Sequence, residues 1–228
     1  MDNQIEIGKF VSLRKQELGS RNDELIQRLW ISSQSIHRWL QYCQYHYFNL
    51  VNSTESVDLA LDRISQYRRK GENVTVRYVY EANIVAFLNS LHALLDSFPY
   101  LLNLFIPVFQ NPDSTSIKWS ESFVKKYDGY SFYDELSDFM LDPTFNKVKG
   151  YVNTTKHKYL IRIANNYKNL EFEEYQFKRP VRDQNGKISF QEELLPRQDA
   201  IAFVAECHNS LIPRFFHLCG SVLASKGN

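Results

Sequence analysis

The sequence predicts a mostly α-helical bundle with one β-hairpin inserted before the last helix. Apolar residues recur three or four positions apart along most of the 228 residues, which indicates amphipathic helices. Glycine (8) and proline (7) are scarce, which argues against a turn-rich all-β fold. One short region, around Asn185-Gly186, alternates with a period of two instead. No stretch has the composition of a linker, so we expect a single domain over 1–228.

In the N-terminal half, residues 1–21 are expected to form a short helix or a partly ordered arm. Asn22 is a good N-cap residue, and we expect it to begin a long helix that runs to about Leu50. A second helix is predicted to follow Asn52-Ser53-Thr54 and to end at Arg68-Arg69-Lys70-Gly71, because basic residues before a glycine are typical of a helix end. A nearly uncharged helix then runs from Val76 to Phe98.

In the C-terminal half, Ser131 is expected to cap a short helix through Leu141. Asp142-Pro143 is an N-cap followed by proline at the first helical position, so it should open a helix that reaches about Lys168. Asn185-Gly186 predicts the turn of the inserted hairpin. Pro196 is expected to open the last helix, and Pro213 is expected to kink it.

Composition narrows the classes of function. The formal net charge is only +1, so any contact with nucleic acid requires a local basic patch. The start of the chain does not resemble a signal peptide, and the three cysteines have no metal spacing, so we expect a cytoplasmic protein with free thiols. Polar residues interrupt the apolar stretch from Ala82 to Pro112, and we therefore expect a buried core helix and no membrane partner.

Two polar helix faces need an explanation. On the 76–98 helix, Glu81, Asn89, His92 and Asp96 share one sector, which we call the polar stripe. Because residues 82–98 contain no lysine or arginine, the stripe is expected to meet partners inside the protein or to line a cavity. We expect it to have a supporting, structural role.

On the 143–168 helix, Asn146, Gly150, Asn153 and His157 share a second face, and Lys149 and Lys156 flank it. An imidazole beside an amide could take a proton from a ribose hydroxyl while the lysines hold a phosphate. Asn153 and His157 could equally form an internal polar seam with His92 and Asp96. Both readings are open at the level of sequence.

The patterns of cofactor and metal sites are missing from the sequence. No glycine-rich phosphate loop, nucleophile elbow or Cys/His cluster occurs, and the helical Glu-x-x-His pairs of di-metal sites are absent. We therefore expect no cofactor and no metal.

The segment Val152-Asn153-Thr154-Thr155-Lys156-His157 resembles the motif of the HEPN superfamily, the higher eukaryotes and prokaryotes nucleotide-binding domains. Those proteins are helical bundles whose late helix carries an Arg-Asn-x-x-x-His type motif. The polar stripe on an earlier helix and the hairpin before the last helix are similar to features of that superfamily. The resemblance covers about residues 20–225 in architecture, but its specific motif is six residues long.

The resemblance implies metal-independent RNA cleavage by a homodimer. His157 would act in proton transfer, Asn153 would orient the site, and Lys156 or Lys149 would bind the phosphate. The chain departs from the motif because Val152 stands where active members carry arginine. The resemblance thus allows two functions. One is an RNA-binding protein or ribonuclease in bacterial defence or a toxin–antitoxin system. The other is a non-catalytic module that binds a protein partner or a nucleotide.

Overall fold

The structure is a computed structural model that describes residues 7–19, 23–54, 66–69, 72–166, 169–184 and 186–226. It confirms the mostly α-helical fold class. The α-helices are α1 (Gly8–Leu18), α2 (Asp23–Thr54), α3 (Val76–Asp96), α4 (Phe98–Phe105), α5 (Glu121–Val124), α6 (Tyr133–Leu141), α7 (Pro143–His157), α8 (Ala200–Glu206) and α9 (Ile212–Ala224). A 3-10 turn, Lys125–Tyr127, follows α5, and a π-helical turn, Cys207–Leu211, joins α8 to α9.

The strands form three small antiparallel sheets. They are β1 (Gln66–Arg69), β2 (Glu72–Thr75), β3 (Ile163–Asn165), β4 (Leu170–Phe172), β5 (Tyr175–Arg182), β6 (Ile188–Leu195) and β7 (Gln198–Asp199). β1 pairs with β2, β4 lies between β3 and β7, and β5 pairs with β6. The β5–β6 pair is the inserted hairpin that the sequence predicts. Gly186 has φ 78° in its turn, whereas Asn185 lies outside the described residues.

The chain divides into two compact units, and the first comprises Met1–Leu40, Ala93–Phe145 and Leu211–Asn228. Its core is rich in aromatic rings. The indole of Trp119 donates a hydrogen bond from Nε1 to the carbonyl of Leu95 at 2.8 Å. The same ring stacks on Phe98 and contacts Phe145, with centroid distances of 5.9 and 5.6 Å. Burying such large rings supplies most of the favourable free energy of folding in a core of this kind.

The second unit comprises Gln41–His92 and Asn146–Ser210. Here the middle of α7 packs against the small sheets. Tyr151 contacts Phe172 of β4 at a centroid distance of 5.1 Å, and its ring also contacts Tyr175 of β5. The same ring of Phe172 also contacts Phe203 of α8, at a centroid distance of 5.9 Å. These contacts fix the sheets and α7 relative to each other within this unit.

The buried core helix expected from sequence is α3, one broad sector of which is apolar. The residues of this sector are fully buried, namely Ile84, Phe87, Leu88, Leu91, Leu94 and Leu95. The described residues contain one stretch long and apolar enough to cross a membrane, Arg77–Phe105, with a mean hydropathy of 1.2. Of its most apolar window, 61% is buried inside the protein.

Two predicted helix ends are wrong, because β1 and β3 lie where the sequence predicts helix. Arg68 and Arg69 belong to β1, which pairs with β2, and they do not end a helix. A two-residue connection that ends in glycine is a common hairpin signal, and Thr and Val in β2 favour strands. Lys70, Gly71 and the apolar positions of the expected second helix, Val57, Leu61 and Ile64, lie outside the described residues.

The α7 helix ends at His157, eleven residues before the predicted Lys168. The backbone amides of Lys158 and Tyr159 both donate to the carbonyl of Thr154, which closes the last turn. Beyond that turn Ile161, Ile163 and Asn165 alternate with more exposed residues, and this period of two belongs to a strand.

Helix starts were predicted less well than helix interiors. Asp142 is confirmed as the cap of α7, because its Oδ1 accepts from the amide of Phe145 at 2.9 Å. Ser131 does not cap α6, which begins at Tyr133 with Phe132 at the N-cap position. Pro196 does not open the last helix, because β7 intervenes and Asp199 caps α8 instead. The predicted cap Asn22 lies outside the described residues, and α1 provides the short helix expected within 1–21.

Candidate functional site

The most informative surface is a cleft of about 680 Å³ in the second unit, between α7 and the β5–β6 hairpin. One wall is the face of α7 that the sequence singles out. Asn146, Gly150, Asn153 and His157 all line the cleft, as their spacing on a helix requires. Asn153 and His157 are exposed to solvent. Neither side chain forms a hydrogen bond with any residue that the structure describes, so both are accessible from the cleft.

The other wall of the cleft is one face of the hairpin. Gln176, Lys178 and Pro180 alternate along β5, and Phe190 and Glu192 lie opposite Pro180 and Lys178 on β6. Residues paired in an antiparallel ladder, or separated by two along a strand, project to the same face. All five line the cleft. This face of the hairpin therefore supplies most of the second wall, and Phe177, on the opposite face of β5, also lines the cleft.

Gly150 allows the hairpin to approach α7 closely. A Cβ atom placed on Gly150 would lie 2.5 Å from Cδ2 and 2.7 Å from Cβ of Phe177. Phe177 is buried, and its ring also contacts Tyr175. The hydroxyl of Tyr175 in turn donates to the carbonyl of Lys147 on α7 at 3.2 Å. Phe177 thus occupies the space that a side chain at position 150 would need.

The cleft is rich in positive charge. Lys149 lines it from the side of α7, Lys158 from just beyond the end of that helix, and Lys178 from the hairpin. Glu192 is the one carboxylate among the lining residues, all of which lie in the described part of the chain. Its Oε1 is 3.9 Å from Nζ of Lys178, and both side chains are about 70% exposed (73% and 70%). Three lysines and one glutamate give the lining residues a formal charge of about +2, and an exposed pair of this kind contributes little to stability.

The predicted lysines are divided between two locations. Lys149 lines the cleft, whereas Lys156 is exposed elsewhere on α7 and does not line it. Lys158 and Lys178 were not predicted. Lys158 is brought to the cleft because the helix ends one residue before it, and Lys178 because the hairpin packs on α7. The alternating pattern of β5 is visible in the sequence. The local sequence does not indicate, however, that Lys178 lines a cleft with α7.

The polar stripe lies apart from the residues that line the cleft. Glu81 is buried, and its Oε1 accepts from the backbone amide of Ile163, the first residue of β3, at 3.5 Å. Burial raises the pKa of the Tyr151 phenol well above its usual range, and the nearby carboxylate of Glu81 raises it further. Glu81 is therefore a buried residue that contacts β3 and lies near Tyr151 of α7.

The remaining stripe residues differ in environment. His92 is buried, Asn89 is half-buried and donates to the carbonyl of Val85 at 2.9 Å, and Asp96 is exposed at the end of α3. None of the four stripe residues lines the cleft. Among the described residues, no three histidine, cysteine or carboxylate side chains are grouped closely enough to hold a metal ion.

Val152, at the position of the motif arginine, is fully buried. On α7 it projects away from the face that carries Asn153 and His157, toward the packed interior of the unit. A guanidinium at this position would have to lose its hydration on burial, which is costly without a partner. Any positive charge for a ligand in the cleft therefore comes from the three lysines.

Comparisons with known proteins identify no relative: no family model, no curated protein and no solved structure matches the chain.

Proposed function

We propose that this protein is an HEPN-like ribonuclease that binds RNA in the cleft between α7 and the β5–β6 hairpin and cleaves it without a metal ion. The observation that carries the proposal is the exposure of His157 and Asn153 together in a cleft with three lysines. An imidazole can exchange a proton near neutral pH, and lysines bind phosphate as point charges. The resemblance of the α7 motif supports the same chemistry.

In the proposed reaction, His157 takes the proton of a ribose 2′-hydroxyl. The 2′-oxygen then attacks the adjacent phosphorus, a P–O2′ bond forms, and the P–O5′ bond breaks. The products are a 2′,3′-cyclic phosphate and a 5′-oxygen that takes a proton from solvent. Asn153, one turn before His157, is placed to orient the phosphodiester or the imidazole through its amide.

Lys149, Lys158 and Lys178 replace the missing arginine in this proposal. A lysine lacks the bidentate fork of arginine, so three point charges around the cleft would hold the backbone less specifically. Neutralising about three phosphates on single-stranded RNA gives a slope near −2 for the logarithm of affinity against the logarithm of salt concentration.

The test compares His157→Ala with His37→Ala. His37 is also exposed on a helix but does not line the cleft, so it controls for loss of a surface imidazole. Cleavage of labelled RNA in the presence of a chelator is measured for both variants, with circular dichroism and melting to verify the fold. We expect His157→Ala to lose at least about a hundredfold in rate, because positioned proton transfer contributes that much or more. Equal rates for the two variants would refute the catalytic assignment.

The biological setting follows from the resemblance. We place the protein in bacterial defence or a toxin–antitoxin system, in the cytoplasm, and as a homodimer whose two motifs share one site. Expression of the wild-type chain is then expected to arrest growth, and His157→Ala to abolish the arrest at equal protein level. Light scattering of the purified chain tests the dimer, and a monomer at all concentrations would contradict it.

Burial of Val152 favours a second candidate, a non-catalytic module that binds a protein partner or a nucleotide. In this case the cleft binds a ligand, but the charge that stabilises the transition state is absent. If this second function is correct, the wild-type chain cleaves no RNA and is recovered in a stoichiometric complex with a partner. RNA cleavage that depends on His157 would rule this candidate out.

A further inference from the structure

Phe190 is the most exposed of the large apolar side chains that the structure describes, at 69%. It lies near the middle of the cleft-facing side of the hairpin, opposite Pro180. Tyr175, Phe177 and Leu195 on the other face of the hairpin are buried. The ring of Phe190 makes no recorded contact with another aromatic ring in the described parts of the chain. Packing within the protein therefore does not account for an aromatic residue at this position.

The surroundings of Phe190 are those of a surface that binds an anionic, planar ligand. Lys178 projects from the same face of the hairpin, and Lys149 and Lys158 line the cleft from the other wall. Lysines that follow a phosphate backbone, combined with an aromatic ring that offers its face to a base, are the two components of single-strand binding sites. Leu194 is also exposed on this face, at 54%, but it does not line the cleft.

We propose that Phe190 is a base-stacking residue and that the substrate of this cleft is single-stranded RNA. This inference rests on the proposed function for the identity of the nucleic acid. A base in a duplex is stacked on both sides and is not available to a protein ring, whereas an unpaired base is. Duplex RNA would contact the lysines but not the ring. Phe190 thereby makes the cleft selective for single strands.

The experiment measures binding by fluorescence anisotropy, with the full chain and a short pyrimidine RNA whose riboses carry 2′-fluoro groups. The fluorine removes the attacking hydroxyl, so the probe stays intact. The same probe annealed to its complement gives the duplex arm. Phe190→Ala is compared with Phe190→Trp, which keeps a stacking ring, and with Leu194→Ala, the matched loss of an exposed apolar side chain on the same face. Lys178→Ala measures the contribution of a lysine charge to binding of the single strand and of the duplex.

We expect Phe190→Ala to weaken single-strand binding about 5- to 100-fold, the range that loss of one stacked base produces. Phe190→Trp and Leu194→Ala should bind like the wild type. Lys178→Ala should weaken the binding of both the single strand and the duplex. The wild type should bind the single strand more tightly than the duplex. Unchanged binding by Phe190→Ala, or equal binding of duplex and single strand, would overturn the inference.

The inference and the proposed function fail in different ways. Cleavage that depends on His157, together with unchanged binding by Phe190→Ala, removes the stacking role and leaves the ribonuclease. Single-strand binding that depends on Phe190, with no cleavage by the wild type, supports the stacking role and removes the enzyme. A wild-type chain that binds neither form of RNA refutes both.

Discussion

Substituting Gly150 by alanine tests how the hairpin is held on α7. The added Cβ would lie 2.5 Å from Cδ2 and 2.7 Å from Cβ of Phe177, and ordinary contact begins near 3.4 Å, so the Cβ of Phe177 must move by about 0.7 Å. Rotating the phenyl ring does not relieve the clash, because the Cβ of Phe177 itself would be 2.7 Å away. The backbone of β5 has to shift, and tightly packed contacts of this kind resist such shifts.

The expected cost combines two opposing effects. Overpacking costs about 3 kcal/mol at the upper end of its range, which applies where backbone must move. Replacing glycine by alanine inside a helix returns about 1 kcal/mol. The net loss is then about 2 kcal/mol, which corresponds to a fall of roughly 4–8 °C in melting temperature for a chain of this size. Hydrogen exchange in β5 and β6 should accelerate more than exchange elsewhere.

Gly8→Ala is the matched control, because an added Cβ on Gly8 of α1 meets nothing within 4 Å. It should be neutral or slightly stabilising. In a Phe177→Gly background all three clashing atoms are absent, and Gly150→Ala should then stabilise the protein by about 1 kcal/mol through helix propensity alone. A single substitution Gly150→Ala that behaves like Gly8→Ala would refute this account of the docking.

Three other predictions concern charged groups. Asp142→Ala should lower the free energy of unfolding by about 1–2 kcal/mol in urea titrations because the cap of α7 is lost, whereas Asp142→Asn should lose less. His217 donates from Nδ1 to Glu135 at 2.6 Å, and this hydrogen bond, with the charge of Glu135, raises the histidine pKa. The stabilisation is therefore present below the ordinary histidine pKa and lost as pH rises through the raised value. Glu135→Gln should return the pKa, followed by NMR, to its ordinary value. Glu192→Gln should tighten RNA binding by up to about fivefold, and Glu193→Gln, on the opposite face, should not. Unchanged binding by Glu192→Gln would place its carboxylate outside the RNA path.

The faces of α3 and α7 could be predicted from sequence because helix geometry alone decides them. Once α7 is known to be a helix, Asn146, Gly150, Asn153 and His157 must share a face, and the structure places all four in one cleft. The buried sector of α3 follows from its apolar period in the same way. Both are local properties, set by 3.6 residues per turn.

The other half of the candidate site could not be predicted because it depends on long-range packing. The hairpin itself has a clear local signal in its turn. That Lys178 and Phe190 line a cleft with α7, however, depends on how the hairpin packs, and the contact of Phe177 with Gly150 joins residues 27 positions apart. The early end of α7 is a similar case: Lys158 reaches the cleft because β3 pairs with β4, and the helical pattern alone predicts continuation.

The hairpin is buried at one end and exposed at the other. Tyr175, Phe177 and Leu195 anchor its base, whereas Arg182, Gly186 and Lys187 near its turn are exposed. Exposed turns tolerate inserted sequence far better than anchored strand ends. A short tag or a fluorophore introduced at this turn should thus leave the anchor intact, and it would provide a label at the rim of the cleft for following ligand entry in solution.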